Sequence, residues 1–167
     1  MIMVNAYFNN RALNAHVMEQ GILNLVKWEG EHGYTVDVTV AEAVNILNDY
    51  FHLTARIVAN PTTQAIRDEL SAGRLVIVPA AGRMLGNPNF RQPGPIYHML
   101  VIRGYDANTD EFITNDPGTR KGEGYRYDSA VLIAAIHDWP KLGKANTEVS
   151  DAEMNAGNPV MIVVPGE

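Results

Sequence analysis

Apolar residues in the first third of the chain recur at intervals of three and four, which is the spacing of one face of an α-helix. The segment Ala12–Trp28 has this spacing and predicts a helix. Thr39 followed by Glu42 matches a capping box, so a second helix is expected to begin there. A third helix is predicted from Pro61 to Gly73, because proline favours the first helical turn and glycine favours the position after the last one.

The pattern changes to that of β-strands in the remaining part of the chain. Arg74–Ala80 is a continuous apolar, β-branched run, which is typical of a central strand buried on both faces. His98–Tyr105 and Glu111–Asn115 are predicted to be two further strands. Strands are also predicted at Leu53–Ala59 and Pro159–Pro165.

Two irregular segments interrupt this part of the chain. Ala80–Tyr97 is rich in glycine, proline and asparagine and predicts a long loop, and loops of this length in compact domains are often functional. Gly122–Tyr127 contains glycines but lacks the strand-to-helix pattern of a phosphate-binding loop. We interpret it as a loop that leads into a short edge strand.

The order of the elements predicts a single α+β domain. Asp128 or Ser129 can cap a last helix, which ends at Pro140. Helices followed by mostly antiparallel strands are the layout of an α+β fold, and 167 residues suit one domain. We expect a mainly helical part over residues 1–73 and a mainly β part over residues 74–167.

Charge and composition limit the possible partners. The formal net charge of −6 argues against nucleic acid, because phosphate binding requires a basic surface. The chain contains no cysteine, which excludes disulfides, thiolate metal sites and a cysteine nucleophile within these residues. No window reaches the roughly 18 apolar residues of a transmembrane helix, and the first residues lack a secretory signal pattern. We therefore expect a soluble, cytoplasmic protein with no membrane insertion, or the exported part of a longer one.

The hairpin that follows the long loop brings a histidine toward an aspartate. If Asp106–Asn108 is a three-residue hairpin loop, Tyr105 pairs with Thr109, and the asparagine suits the left-handed position that such loops require. Counting back in this register places His98 directly opposite Asp116. Facing residues project from the same side of a sheet, whereas a slip of one residue would place the two on opposite faces.

His98 and Asp116 are the candidate catalytic residues. An aspartate that accepts a hydrogen bond from one imidazole nitrogen fixes the tautomer and directs the other nitrogen toward a proton to be removed. The alternative is a cross-strand pair that only stabilises the end of a strand, worth about 0.2–1 kcal/mol. The residues alone favour this structural alternative. The chain has no HExxH or similar spacing of ligands, so we expect neither a metal site nor any other cofactor.

Four segments, taken in order, resemble the C39-like cysteine peptidases, a branch of the papain-like fold. They are GRLVIVPAAG, HMLVIRGYD, EFITNDPGT and GYRY, all within residues 73–127. In that family one strand begins with the catalytic histidine, and the next ends in an acidic motif before a proline. His98 and Asp116 occupy these positions here. The resemblance extends from Trp28 to Pro140.

The resemblance implies an α+β, papain-like fold, in which N-terminal helices pack on an antiparallel sheet. It places the active-site cleft beside the Ala80–Tyr97 loop. It implies His98 as the general base and Asp116 as its orienting partner, and a peptide or protein as the substrate or ligand.

The sequence departs from the family at the nucleophile. The family's cysteine and the upstream glutamine of its oxyanion hole have no counterpart here. Residues 4–10, VNAYFNN, resemble the later turns of the helix that begins at that cysteine. The cysteine would be expected one or two turns before Met1, each turn holding about 3.6 residues. By this interpretation the domain is catalytically inactive by itself, either because the chain starts late or because a natural variant lost the cysteine.

Two alternatives remain open. One is a degenerate peptidase fold that binds a peptide in the former cleft. The other is an unrelated α+β domain in which the His98–Asp116 pair is structural. If the start of the helix is missing, apolar residues near Met1–Phe8 would be uncovered, and an exposed apolar patch tends to acquire a partner. We therefore expect self-association through the N-terminal region.

Overall fold

The computed structural model describes residues 1–140 and 148–166 and shows helices packed on one sheet. Within these residues, no helix combines the length and the apolar character needed to cross a membrane. The elements in chain order are α1 (Ile2–Phe8), α2 (Ala15–Glu31), α3 (Val40–Asp49), β1 (Arg56–Ala59), α4 (Thr63–Ser71), β2 (Leu75–Ala81), a 3-10 helix (Gly82–Leu85), β3 (Tyr97–Asp106), β4 (Glu111–Asn115), β5 (Glu123–Asp128), α5 (Ser129–Ala135), α6 (Asp151–Met154) and β6 (Val160–Val164).

Side-chain caps start the helices where polar residues precede the apolar spacing. The predicted capping box of α3 is present, because Thr39 accepts from the backbone N–H of Glu42 and the Glu42 carboxylate accepts from the backbone N–H of Thr39. Asn14 caps α2, which begins three residues later than predicted, and Thr62 caps α4. Each cap satisfies N–H groups that the first turn of a helix leaves free.

The six strands form one antiparallel sheet in the order β1-β6-β2-β3-β4-β5. The predicted central strand, β2, is buried along its whole length. The residues interpreted as a short edge strand form β5, at one edge of the sheet. The predicted α+β class, with N-terminal helices on an antiparallel sheet, is confirmed.

Helices cover both faces of the sheet and divide the core in two. On one face, apolar residues of α1, α2 and α3 pack on Leu75, Ile77 and Val101. On the other face, residues of α4 and α5 pack on Val76, Leu100 and the neighbouring strand residues. Because successive residues of a strand point to opposite faces, the continuous apolar run of β2 is needed to fill both halves of the core.

The register predicted for the β3–β4 hairpin is wrong. Tyr105 pairs with Phe112 and not with Thr109, and the loop has four residues, 107–110. Asp110, not the predicted asparagine, has the left-handed conformation, with φ of 55°. The Asp110 carboxylate accepts from the Tyr105 hydroxyl and from the hydroxyl of Ser129, at the start of α5. The loop geometry therefore depends on a residue 19 positions away, which turn preferences do not include.

A β-bulge at Arg103 restores the side-chain orientation that the site requires. The register shifts between Ile102 and Gly104, so that Val101 pairs with Asn115. Continuing this register by one residue places Asp116 opposite the position two residues after His98. Residues two apart in a strand face the same side, so His98 and Asp116 share a face as diagonal neighbours. Without the extra residue, the two side chains would point to opposite faces.

The packing of α5 on the sheet can be tested with two adjacent residues. Leu132 is fully buried, so Leu132→Ala should lower the free energy of unfolding by about 2–5 kcal/mol through lost burial and a cavity. Val131 is 41% exposed, and Val131→Ala should change the free energy of unfolding by no more than about 0.5 kcal/mol. Urea denaturation of both variants measures the difference. Equal losses would contradict the described placement of α5.

Candidate active site

His98 lies near the start of β3, at the end of the sheet where the long loop joins it. Its Cα partner across the ladder is Ala80 of β2. The imidazole is largely buried, with 11% of the side chain exposed, and its ring lies edge-to-face with Phe90 at 5.3 Å between centroids. The ring is therefore held by packing and keeps a small opening to solvent.

Asp116 follows β4 directly and contacts the imidazole. Its side chain is fully buried, and its Oδ1 lies 2.7 Å from His98 Nε2. An ionised carboxylate can only accept, so Nε2 carries the proton and donates it to Asp116. Among the residues that the structure describes, His98 Nδ1 has no hydrogen-bond partner. In its neutral form, the imidazole with its proton on Nε2 presents the lone pair of Nδ1.

Four donors surround the Asp116 carboxylate. Oδ1 accepts from His98 Nε2 and from the backbone N–H of Gly118, at 2.7 and 2.9 Å. Oδ2 accepts from the Tyr127 hydroxyl at 2.6 Å and from the side-chain amide of Asn87 at 3.3 Å. A carboxylate has about four lone-pair positions, so this group is saturated.

Hydrogen bonds to Asp116 oppose the effect of burial on the pKa of its carboxyl group. Burial alone raises the pKa of the Asp116 carboxyl, because desolvation penalises the charged form. The hydrogen bonds from His98 and Tyr127 outweigh this effect, and the pKa of Asp116 is lowered from its ordinary value of 3.8. Burial and the neighbouring carboxylate raise the pKa of Tyr127, which keeps the phenol protonated as a donor. Asp116 is therefore a charged acceptor at neutral pH.

Glycines allow the backbone to approach the pair closely. A Cβ on Gly118 would lie 2.8 Å from Cε1 of His98 and 3.0 Å from Cε1 of Phe90. A Cβ on Gly122 would overlap the backbone carbonyl oxygen of Asp116. The turn after Asp116 can close over the imidazole only because these two positions lack a side chain.

The long loop predicted beside the cleft contributes two side chains to the site. It begins with the 3-10 helix and supplies both Asn87 and Phe90. Asn87 is 2% exposed although it lies in a loop, because its amide is used inside the site. The loop is therefore part of the wall around His98 and Asp116.

A cavity of about 400 Å³ lies beside Asp116. Met3, Ala6 and Tyr7 of α1 line it on one side, and Asn115 and Asp116 line it on the other. A larger cavity of about 480 Å³ lies between α1 and α2, and neither His98 nor Asp116 lines it. The smaller of these two cavities therefore adjoins Asp116, and His98 does not line it.

The sequence interpretation missed Asn87 and Tyr127. Tyr127 lies in the GYRY segment, which we interpreted as a loop leading into a short edge strand, without a polar contact to Asp116. Asn87 carried no signal, because asparagine is common in loops for local reasons. Two other histidines, His32 and His137, lie outside the site, and their Nδ1 atoms contact the backbone carbonyl oxygens of Trp28 and Gly157.

The chain is similar to known proteins in its sequence and in its fold. The family model described as the Peptidase_C39 like family matches residues 6–147. A crystal structure described as that of a C39-like peptidase from Bacillus anthracis superimposes with a TM-score of 0.46 at 13% sequence identity. That match covers 78% of this chain and 60% of the other, so this chain spans less than two thirds of that protein. No curated protein matches the sequence.

Acid should remove the contribution of Asp116 to stability. Because its pKa is lowered in the folded state, this contribution is present above the ordinary pKa of 3.8 and is lost as the pH falls through the folded value. The wild type should therefore exceed Asp116→Asn in free energy of unfolding at neutral pH, and the gap should narrow below pH 3.8. Urea titrations across this range measure the gap. A constant gap would mean that the charge of Asp116 does not contribute.

The close approach at Gly122 predicts a cost for the smallest side chain. Gly122→Ala should lower the free energy of unfolding by about 1–3 kcal/mol, because the methyl group overlaps a backbone atom that must move. Gly30→Ala is the matched control, since a Cβ there meets nothing within 4 Å and the residue lies in α2. The control should be neutral or stabilising by up to about 1 kcal/mol. Thermal and urea unfolding compare the two, and a harmless Gly122→Ala would refute the tight turn.

Proposed function

The chain belongs to the Peptidase_C39 like family, and we propose that it carries the general base and the orienting acid of a cysteine-peptidase-type site. His98 is the base, and Asp116 holds it in position. The observation that carries the proposal is the 2.7 Å contact from His98 Nε2 to a buried, ionised carboxylate, which leaves Nδ1 without a partner among the described residues. This is the arrangement that activates a nucleophile.

The roles of the two residues follow from their protonation states. Nδ1 of the neutral imidazole accepts the proton of a thiol, and the resulting thiolate attacks a peptide carbonyl. The imidazolium then returns the proton to the leaving amine. Asp116 stays ionised throughout and stabilises the imidazolium without taking its proton. The reaction class is acyl transfer from a peptide or protein.

The chain supplies no thiol nucleophile of its own. The chain contains no cysteine, so it cannot form a thioester intermediate by itself. We expect no thiol-dependent peptide cleavage by the 167-residue chain alone. What it contributes is the base, its orienting acid and the walls around them.

The direction of α1 supports a thiol that approaches from the start of this helix. The Phe8 ring, at the end of α1, packs against Gly166, which follows β6. The last residue of β6 pairs with Leu75, at the opposite end of β2 from the position that faces His98. The Phe8 end of α1 therefore lies toward the end of β2 that is remote from His98.

A second candidate function is peptide binding without chemistry. The cavity beside Asp116 favours it, because its lining combines apolar Met3, Tyr7 and Met18 with charged Arg11 and Glu123. Such a mixture suits an extended peptide with apolar and polar groups. In that case His98 and Asp116 would remain as a structural pair.

We also propose, from the expected apolar surface near α1, self-association through the N-terminal region.

A cysteine scan tests the catalytic role of His98. The chain is extended by seven residues in helical sequence before Met1, and one cysteine is placed at each of these positions in turn. Each protein is treated with a peptidyl electrophile that alkylates activated thiols. A cysteine at one or two of these positions should react at least about 10²-fold faster than free cysteine, because general-base catalysis contributes on this scale. The labelling rate is followed by mass spectrometry.

The same extended proteins carrying His98→Ala are the matched controls. They should lose the enhancement and react as an ordinary thiol does. An extension in which no position reacts faster than free cysteine, or in which the enhancement survives His98→Ala, would overturn the proposed base. If the protein binds a peptide although none of the cysteines reacts faster than free cysteine, the result would favour the peptide-binding function.

A further inference from the structure

The far oxygen of the Asp116 carboxylate has partners that the base-and-acid pair does not require. Oδ1 suffices to hold His98, yet Oδ2 is also enclosed, by Tyr127 and Asn87. All three residues are buried, with 3% or less of each exposed. Buried polar groups without a partner are costly, so this enclosure determines whether the carboxylate is stable as an ion.

Tyr127 lies in β5, two strands away from His98 in the sheet. Its hydroxyl is 2.6 Å from Asp116 Oδ2, and it must donate, because an ionised carboxylate only accepts. Hydrogen bonds with one charged partner are about twice as strong as neutral ones. The hydroxyl of Tyr127 therefore offsets part of the free-energy cost of burying the charged Asp116 carboxylate. It also restrains rotation of that carboxyl group.

Asn87 reaches the same oxygen from the long loop. Its Nδ2 lies 2.8 Å from the Tyr127 hydroxyl oxygen and 3.3 Å from Asp116 Oδ2. Its Oδ1 accepts from the backbone N–H and the side-chain amide of Asn89. These contacts define the orientation of the amide, with the NH₂ group toward the carboxylate. The loop thus fixes the phenol as well as the acid.

We propose that Tyr127 and Asn87 are positioning residues that keep Asp116 ionised and its Oδ1 aimed at His98 Nε2. The proposal rests on the proposed function in one respect, namely that the His98–Asp116 pair is the working pair. Because both lone pairs of Oδ2 are occupied, the carboxylate cannot turn that oxygen toward the imidazole or toward solvent. The unit that selects the Nε2–H tautomer of His98 is then three side chains, Asp116, Tyr127 and Asn87, from three separate parts of the chain.

A structural role in anchoring β5 and the loop is the competing explanation. Both explanations predict lower stability when either side chain is truncated. They differ at the imidazole, because simple anchoring does not change which ring nitrogen carries the proton. The deciding readouts are therefore the ¹⁵N shifts of His98, the exchange rate of its Nε2 proton, and the pH at which the Asp116 carboxyl titrates.

The experiment compares Tyr127→Phe and Asn87→Ala with the wild type by NMR of the folded 167-residue chain. Tyr105→Phe is the matched control, since the Tyr105 hydroxyl also donates to a carboxylate at 2.6 Å, on Asp110. Asp116→Asn is included to test the pair itself. Circular dichroism confirms that each variant is folded at the temperature used.

Tyr127→Phe should raise the pH at which Asp116 titrates and speed exchange of the His98 Nε2 proton by roughly tenfold or more, because a charge-assisted hydrogen bond is lost. Asn87→Ala should move both readouts in the same direction by less, since its contact to Oδ2 is longer. Tyr105→Phe should change neither. Asp116→Asn should abolish the preference for the Nε2–H tautomer.

The variants separate failure of this inference from failure of the proposed function. If Asp116→Asn removes the tautomer preference but Tyr127→Phe and Asn87→Ala leave all three readouts at wild-type values, the two residues only anchor the fold. If Asp116→Asn also leaves the tautomer unchanged, the orienting role of Asp116 fails. If Tyr127→Phe does not fold, Asn87→Ala decides, because it leaves the β5 side chain in place; an unchanged imidazole there overturns the proposal.

Discussion

A carboxylate that is removed from water stays ionised only if hydrogen-bond donors of the protein replace the water. The buried carboxylate of Asp116 has such donors. Burial pushes its pKa upward, and the hydrogen bonds around it push the pKa below the ordinary value. The balance matters for chemistry because only the charged form fixes the Nε2–H tautomer of His98. The arrangement of the surrounding strands and turns can be understood as the means of bringing these donors to one point.

The donors arrive from segments that are distant in sequence and adjacent only in the fold. His98 comes from the start of β3, Gly118 from the turn after β4, Tyr127 from β5, and Asn87 from the long loop. The antiparallel order of β3, β4 and β5 places the first three at one end of the sheet. The glycines in the turn remove the side chains that would otherwise keep the backbone away. The chain places a histidine and an ionised aspartate in contact at this site, and it contains no cysteine.

His98 contacts Asp116 as predicted, but only because two differences from the predicted hairpin compensate each other. The predicted loop was one residue too short, which by itself would have placed the two side chains on opposite faces. The bulge at Arg103 adds a residue to β3 and returns them to the same face, as diagonal and not direct neighbours. The correct pair was thus predicted from a wrong register. Bulges have no strong local sequence signal, because their position depends on packing across several strands.

Local pattern was sufficient for several of the helices and strands, and it drew attention to His98 and Asp116. Helical spacing and capping residues predicted α3 and α4, and the apolar run predicted the central strand, because these features depend on neighbours within a few positions. The family resemblance then assigned roles to His98 and Asp116. The register, the bulge, and the enclosure of Asp116 by Tyr127 and Asn87 required the folded chain. Hydrogen bonds between residues 40 and 29 positions apart, from Asn87 to Tyr127 and Asp116, leave no periodic trace in a sequence.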